Sequence, residues 1–136
     1  MNKKQKLGQY FSTTNIFHDE PFKIWADKIP NWETQSLLEP FAGACDILNY
    51  FPNREWKCFD IDPIKENVEY RNTITNFPKG FDICITNPPY LAKNRVSRLK
   101  QNIVLKYEDL YLDALEQCLE NCKFVSVIIP STFIGC

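Results

Sequence analysis

The segment Phe81-Asp82-Ile83-Cys84-Ile85-Thr86-Asn87-Pro88-Pro89-Tyr90 decides how the rest of this chain is interpreted. Residues 81–86 are rich in β-branched and other apolar side chains, which predicts a short buried strand. The tetrapeptide 87–90 then falls at the carboxyl end of that strand, where open α/β sheets bind ligands. An amide, two rigid residues and an aromatic ring placed there suit the binding of a flat base that carries an amino group.

The tetrapeptide carries the groups needed to activate such an amino group, whose nitrogen lone pair is delocalised into the ring. Two acceptors, the Asn87 side-chain oxygen and the Pro88 carbonyl, would localise the lone pair for attack. Pro88 and Pro89 fix φ and remove two competing N–H donors. Tyr90 offers a stacking face, typically worth ~1–3 kcal/mol per base. The alternative interpretation is a proline-rich turn with Tyr90 packed in the core.

The composition is that of one ordinary globular domain. The chain has 136 residues, of which 44% are hydrophobic and 24% charged, and its net charge is -1. The positive charge is concentrated between residues 93 and 107, which contain no carboxylate. The basic residues there are Lys93, Arg95, Arg98, Lys100 and Lys106. Because this run follows the tetrapeptide, it is predicted to face a phosphate backbone. The alternative is a solvated loop and helix start.

The cysteine pattern and the chain's hydropathy indicate a reduced, cytoplasmic protein with no membrane partner. None of the six cysteines forms a Cys-x-x-Cys pair, and the single histidine, His18, is not near a metal-ligand cluster. The opening segment lacks the apolar stretch of a signal peptide, and the apolar run 124–129 is too short to span a bilayer. Cys118 and Cys122 are predicted to be core residues on one helix face.

Strand and helix patterns alternate along the chain. Strands are predicted at 36–39, 56–61, 81–86 and 124–129. Helices are predicted at 20–28, 63–70 and 108–121, and a further short helix follows residue 46 and ends at about 51. Asp19 is a candidate cap of the first helix, and Pro21 is tolerated in its first turn. The alternation predicts a doubly wound, mostly parallel α/β sheet.

The ends of the first two predicted strands have the layout of a nucleotide cradle. A turn from Glu39 to Gly43 follows the first strand, and Asp60 stands at the tip of the second, where an acid can accept hydrogen bonds from ribose hydroxyls. The Gly-x-Gly-x-x-Gly signature is missing and the chain has only 4 glycines, which disfavours a nicotinamide-dependent oxidoreductase. A nucleoside without a pyrophosphate fits better.

Together these motifs resemble those of the N6-adenine DNA methyltransferases of restriction–modification systems. The matching segments, in order, are Gly8-Gln9-Tyr10-Phe11, Leu38-Glu39-Pro40…Gly43, Asp60-Ile61-Asp62-Pro63, Asn87-Pro88-Pro89-Tyr90, Asp109-Leu110-Tyr111 and Val127-Ile128-Ile129-Pro130. Four principal motifs in the right order are far more specific than any one of them.

The resemblance implies a Rossmann-like fold that uses S-adenosyl-L-methionine to methylate a flipped-out adenine in double-stranded DNA. The catalytic motif would be Asn87, Pro88, Pro89 and Tyr90, and the cofactor would be bound by Tyr10, Phe11, Ser12, Glu39, Pro40, Gly43, Asp60, Ile61, Asn72 and Asn87. Glu39 would neighbour the methionine amino group, Asp60 would bind the ribose, and Ile61 would pack on the cofactor's adenine. The alternatives are that Ile61 is a core residue, and that Tyr10 and Phe11 form a hydrophobic staple onto the first helix.

Three positions depart from the family pattern. Cys45 replaces a loop glycine and would crowd the cofactor, Asn72 replaces an acid that contacts the cofactor's adenine, and Ser12-Thr13 replaces Thr-Pro. The family's pattern also continues beyond residue 136. We therefore expect residues 1–14 to be a tail with a cofactor-capping loop, and residues 15–136 a partial catalytic domain, incomplete at its carboxyl end.

Several expectations follow from that partial match. The target-recognition domain is expected to be missing or supplied by a partner subunit, the isolated chain to bind cofactor weakly, and a cognate restriction endonuclease to belong to the same system. The alternative functions are methylation of an RNA base or of a protein glutamine, and a catalytically inactive fragment.

Overall fold

The computed structural model describes residues 16–88 and 110–128. A 3-10 helix at Ile16–His18 leads into helix α1 (Glu20–Asp27), and a second 3-10 helix, Asp46–Tyr50, follows the first strand. The strands are β1 (Leu37–Glu39), β2 (Trp56–Asp60), β3 (Val68–Tyr70), β4 (Ile83–Thr86) and β5 (Phe124–Val127), and helix α2 (Leu110–Asn121) precedes β5.

The five strands form one parallel sheet in the order β3-β2-β1-β4-β5. Leu38 lies in the middle, paired with Lys57 on β2 and with Cys84 on β4. From β1 the chain moves outward to β2 and β3, and then crosses back to β4 and β5. The order reverses between β1 and β4, so their carboxyl ends flank the crevice in which sheets of this kind bind ligands. The prediction of a parallel α/β sheet is confirmed.

The central strands are buried on both faces because helices cover both sides of the sheet. Leu37, Ile83 and Ile85 point to one face and pack with Phe17 and Ile29. The alternate residues point to the other face, where Leu38 and Cys84 join a cluster with Phe59, Phe77, Cys118 and Cys122. The predicted core positions of Cys118 and Cys122 are confirmed, with exposed fractions of 0% and 9%.

The helix predicted over 63–70 is wrong, because Val68–Tyr70 forms strand β3. The outer edge of β2 offers unpaired backbone groups, and these pair Cys58 with Val68 and Asp60 with Tyr70. Pro63 resembles the first residue of a helix, but the segment that follows it forms turns. Only Val68 of the strand is buried, so the sequence carries no period-2 signal there.

The two helices match the sequence with differences in detail. Helix α1 begins after Asp19 with Pro21 in its first turn, but the Asp19 side chain makes no capping hydrogen bond. In α2 the face that packs on the sheet includes Tyr111 and Ala114. Leu119, by contrast, is 61% exposed.

Three further structural findings concern residues 16–88 and 110–128. None of the helices there is long and apolar enough to cross a membrane. Within the same ranges no three His, Cys, Asp or Glu residues are grouped so as to hold a metal ion. The five cysteines found there carry free thiols, and the Sγ atoms of Cys84 and Cys118 lie 3.8 Å apart.

Candidate functional site

The loop that leaves β1 is bound to the end of β2. The Ala42 N–H donates to the Phe59 carbonyl (2.9 Å), and the Gly43 N–H donates to Oδ2 of Asp60 (2.8 Å). Gly43 and Cys45 both have left-handed backbones, with φ of 53° and 65°. Two left-handed residues so close together reverse the chain sharply, so the loop runs directly over the carboxyl ends of β1 and β2.

Asp60 is half-buried at the tip of β2 and orders the backbone around it. Its Oδ1 accepts a hydrogen bond from the Asp62 N–H at 2.8 Å, and its Oδ2 accepts one from the Gly43 N–H. Each carboxylate oxygen has a second acceptor position. Asp60 can therefore hold the loop in place and still accept hydrogen bonds from a ligand.

Glu39 is a buried carboxyl at the end of β1, with 1% of its surface exposed. Its Oε1 accepts from the Phe41 N–H at 2.9 Å and from the Thr86 hydroxyl, and the Asn87 N–H also donates to this carboxyl. Burial raises the pKa of Glu39 from 4.5 to about 8, although these hydrogen bonds act in the opposite direction. No cation is among the described groups that act on this carboxyl, so it is mostly protonated at neutral pH.

A small cavity of about 110 Å³ lies between the ends of β1 and β4. Its lining consists of Glu39, Phe41, Ala42, Gly43, Ala44, Asp46, Ile47 and Asn87. Pockets that enclose a whole drug-sized ligand are typically ~300–1,000 Å³. This cavity therefore has room for one end of such a ligand.

The segment after β3 brings an unused acceptor to the same edge. The Oδ1 atom of Asn72 is buried and has no hydrogen-bond partner among the described residues. Its neighbour Thr73 is 3% exposed and donates its hydroxyl to the Pro40 carbonyl at 2.8 Å, which ties this segment to the β1 loop. A buried acceptor without a donor is costly, and a bound ligand with an N–H group would satisfy it.

Cys45 does not line the cavity. Its side chain is 9% exposed and packs with Ala42, Cys58 and Val68. The thiol is thus accommodated beneath the loop, in contrast to the expectation that it would crowd a ligand above the loop.

The left-handed backbone at Cys45 leads to a prediction about stability. Cys45→Val places a β-branched side chain at positive φ and is expected to cost about 1–3 kcal/mol of unfolding free energy. Cys58→Val is the matched control, because Cys58 is also buried (2% exposed, against 9% for Cys45) but lies on β2, where β-branched residues are favoured. Urea unfolding measures both, and equal losses would contradict this account of the Cys45 backbone.

The structure brings together part of the predicted site. Eight predicted residues lie at or after the carboxyl ends of strands β1 to β4, at one edge of the sheet: Glu39, Pro40, Gly43, Asp60, Ile61, Asn72, Asn87 and Pro88. Pro88 is fully buried, and Ile61 is half-buried directly after β2. The remaining predicted residues lie outside the described part of the chain: Tyr10, Phe11, Ser12, Pro89, Tyr90, Lys93, Arg95, Arg98 and Lys100.

Sequence reasoning missed Thr86 and Thr73, whose hydroxyls bond to Glu39 and to the Pro40 carbonyl. The only signal for Thr86 was a hydroxyl residue at the end of an otherwise apolar strand. Its partner on β1 is 47 residues away in the chain and could be identified only from the strand order.

The sheet order is that of a doubly wound α/β protein, with a cavity at the point where the order reverses. Residues 4–135 match the family described as Eco57I restriction-modification methylase, and the chain belongs to that family. It is also 28% identical, over 150 aligned residues, to the modification methylase CviBIII of Paramecium bursaria Chlorella virus NC1A. That alignment covers 96% of this chain and 39% of the relative, so the chain spans about two fifths of the relative's length.

Proposed function

We propose that this chain carries the site for methyl transfer from S-adenosyl-L-methionine to the N6 amino group of adenine in double-stranded DNA. The observation that supports it most is the position of Asn87. Asn87 lines a cavity that Glu39 also lines, at the point where the strand order reverses. An amide acceptor and a ligand-binding cavity therefore share one edge of the sheet, as the transfer requires.

The residues of this edge fit the cofactor. Glu39 supplies a buried carboxyl on which no cation among the described residues acts, and it would ionise on binding the positively charged amino group of the methionine end. Asp60 retains acceptor capacity for ribose hydroxyls, and the unused Oδ1 of Asn72 suits the amino group of the cofactor's adenine. When bound, S-adenosyl-L-methionine supplies an electrophilic methyl group on a positively charged sulfur.

The chain's own part in the chemistry is to orient and activate the target nitrogen. The Asn87 side-chain oxygen and the Pro88 carbonyl each accept a hydrogen bond from the amino group. These two hydrogen bonds localise the nitrogen lone pair toward the methyl group. A nitrogen–carbon bond forms as the carbon–sulfur bond breaks, and the electron pair of that bond stays on sulfur. The methylated nitrogen is positively charged and releases one proton to water, so no strong base is needed.

The proposed partners follow from this chemistry and from the family. The substrate is duplex DNA with one adenine extruded from the stack, because the amino group is out of reach inside the duplex. A target-recognition element and a cognate restriction endonuclease of the same system are further proposed partners.

The test is a comparison of acceptors. The protein expressed from its complete reading frame is incubated with labelled S-adenosyl-L-methionine and with adenine-containing duplex DNA, transfer RNA or a glutamine-bearing protein. Label in N6-methyladenine from DNA is the expected result. Label only in RNA or protein would favour the alternative acceptors, and the absence of cofactor binding by calorimetry would indicate a non-catalytic fragment.

Asn72 provides a second test, in which affinity and stability respond differently. Asn72→Leu removes an acceptor from the cofactor's adenine and is expected to weaken binding by about 3–10-fold, the value of one hydrogen bond. The same change removes a buried unsatisfied atom, so the free energy of unfolding is expected to stay level or rise. Calorimetry and urea unfolding measure the two, and unchanged affinity would contradict the proposed contact.

A further inference from the structure

The end of β4 is attached to the end of β1 through one carboxyl group. The two strands run parallel with Leu38 paired to Cys84, so Glu39 and Thr86 both lie at the carboxyl edge. The Thr86 hydroxyl donates to Oε1 of Glu39, and the exposed fractions of the two residues are 0% and 1%. Excluded from water, neither group has solvent as an alternative partner.

The same carboxyl also holds the backbone of Asn87, whose N–H donates to it. Glu39 thus fixes two consecutive residues, the last residue of β4 through its side chain and the residue after it through the main chain. The Phe41 N–H adds a third donor from the β1 loop. The position of the Asn87 amide relative to the cavity is therefore set by this carboxyl and its donors.

We propose that Thr86 is a positioning residue for methyl transfer, and that it acts through Glu39 to hold the Asn87 amide in place beside the cofactor-binding cavity. This inference rests on the proposed function. Thr86 itself does not line the cavity, whereas Asn87 and Glu39 do. Its hydroxyl affects the reaction only by fixing those two residues.

The expected effect is on turnover more than on affinity. A displacement of about 1 Å in a reacting group can cost roughly 10²-fold in rate. Thr86→Val keeps the shape of the side chain and removes the hydroxyl. We expect it to lower kcat by about 10–100-fold, with the KM for S-adenosyl-L-methionine within about threefold of wild type. Thr86→Ser restores the donor and is expected to recover most of the rate.

Thr73→Val is the matched control. Thr73 is similarly buried, and its hydroxyl also bonds within this edge of the sheet, but to the Pro40 carbonyl instead of to Glu39. Both valine variants lose one buried hydroxyl bond and are expected to lose comparable stability, about 1–2 kcal/mol. Only Thr86→Val is expected to lower kcat more than about threefold.

The pH dependence of cofactor affinity gives a readout that a general loss of stability would not move. The Thr86 bond favours the ionised form of Glu39, so its loss raises the pKa of that carboxyl further. The midpoint of cofactor affinity against pH is expected to move upward in Thr86→Val and to stay in place in Thr73→Val. The other titratable groups that act on Glu39 or share its cavity are Asp46, Asp60, Cys45 and Cys58, and both variants retain them.

The outcomes separate the two proposals. Wild-type kcat and an unshifted pH midpoint in Thr86→Val would overturn the positioning role and leave the proposed function intact. Failure of Thr86→Ser to recover the rate would also count against it. A wild-type protein that neither binds S-adenosyl-L-methionine nor transfers a methyl group would overturn the proposed function and the positioning role together.

Discussion

Replacement of Asn87 by alanine is expected to lower the rate of methyl transfer by roughly 10³-fold, the upper range for loss of one preorganised group that stabilises a transition state. The amide oxygen contributes only when the target nitrogen begins to acquire positive charge, so the loss falls on kcat. The affinity for S-adenosyl-L-methionine is expected to stay within about threefold of wild type, since Glu39 and Asp60 are untouched.

Asn87→Asp is the matched variant, because it retains an oxygen acceptor at the same place. It is expected to keep partial activity, above that of Asn87→Ala. Single-turnover kinetics separate the chemical step from cofactor binding in both variants. Near-normal turnover in Asn87→Ala would show that the amide does not have the assigned role.

The second large effect concerns Glu39 and the pH dependence of stability. The pKa of its carboxyl rises from 4.5 in the unfolded chain to about 8 in the folded one, chiefly because the group is buried. Between these pH values the folded state retains a proton that the unfolded chain has released. The resulting stabilisation is complete below pH 4.5 and is lost as the pH rises through 8, a change of about 5 kcal/mol.

Glu39→Gln is expected to abolish that slope, since its amide oxygen still accepts hydrogen bonds but does not titrate. Urea unfolding at several values between pH 5 and 8.5 measures the difference between wild type and variant. Glu69→Gln is the control, because Glu69 lies exposed on β3 beside Lys57. A wild-type slope that persists in Glu39→Gln would contradict the buried, protonated state assigned to this carboxyl.

Most of the sheet was predictable from sequence because its strands are buried runs of apolar residues bounded by turns. Strands β1, β2, β4 and β5 were each predicted within two residues of their ends. Strand β3 was not, since three residues with one buried side chain carry no pattern of their own. Its pairing depends on the free edge of β2, which is a property of the assembled sheet.

The candidate site was predictable to the extent that it lies at strand ends. Asp60 ends β2 and Asn87 follows β4, both of them recognisable strands, and the carboxyl ends of parallel strands meet at one edge. The contact of Thr86 with Glu39 required the order of β1 and β4, which are not consecutive in the chain. The unused acceptor of Asn72 and the inward packing of Cys45 depend on the path of loops that composition does not determine.

The most direct test of the proposed chemistry is the identity of the methylated nucleoside. Duplex DNA is incubated with labelled S-adenosyl-L-methionine and either wild-type protein or Asn87→Ala, and is then digested to nucleosides. Label is expected in N6-methyldeoxyadenosine with wild type, and almost none with Asn87→Ala. Label in a methylated cytosine, or equal labelling by the two proteins, would contradict the proposed chemistry.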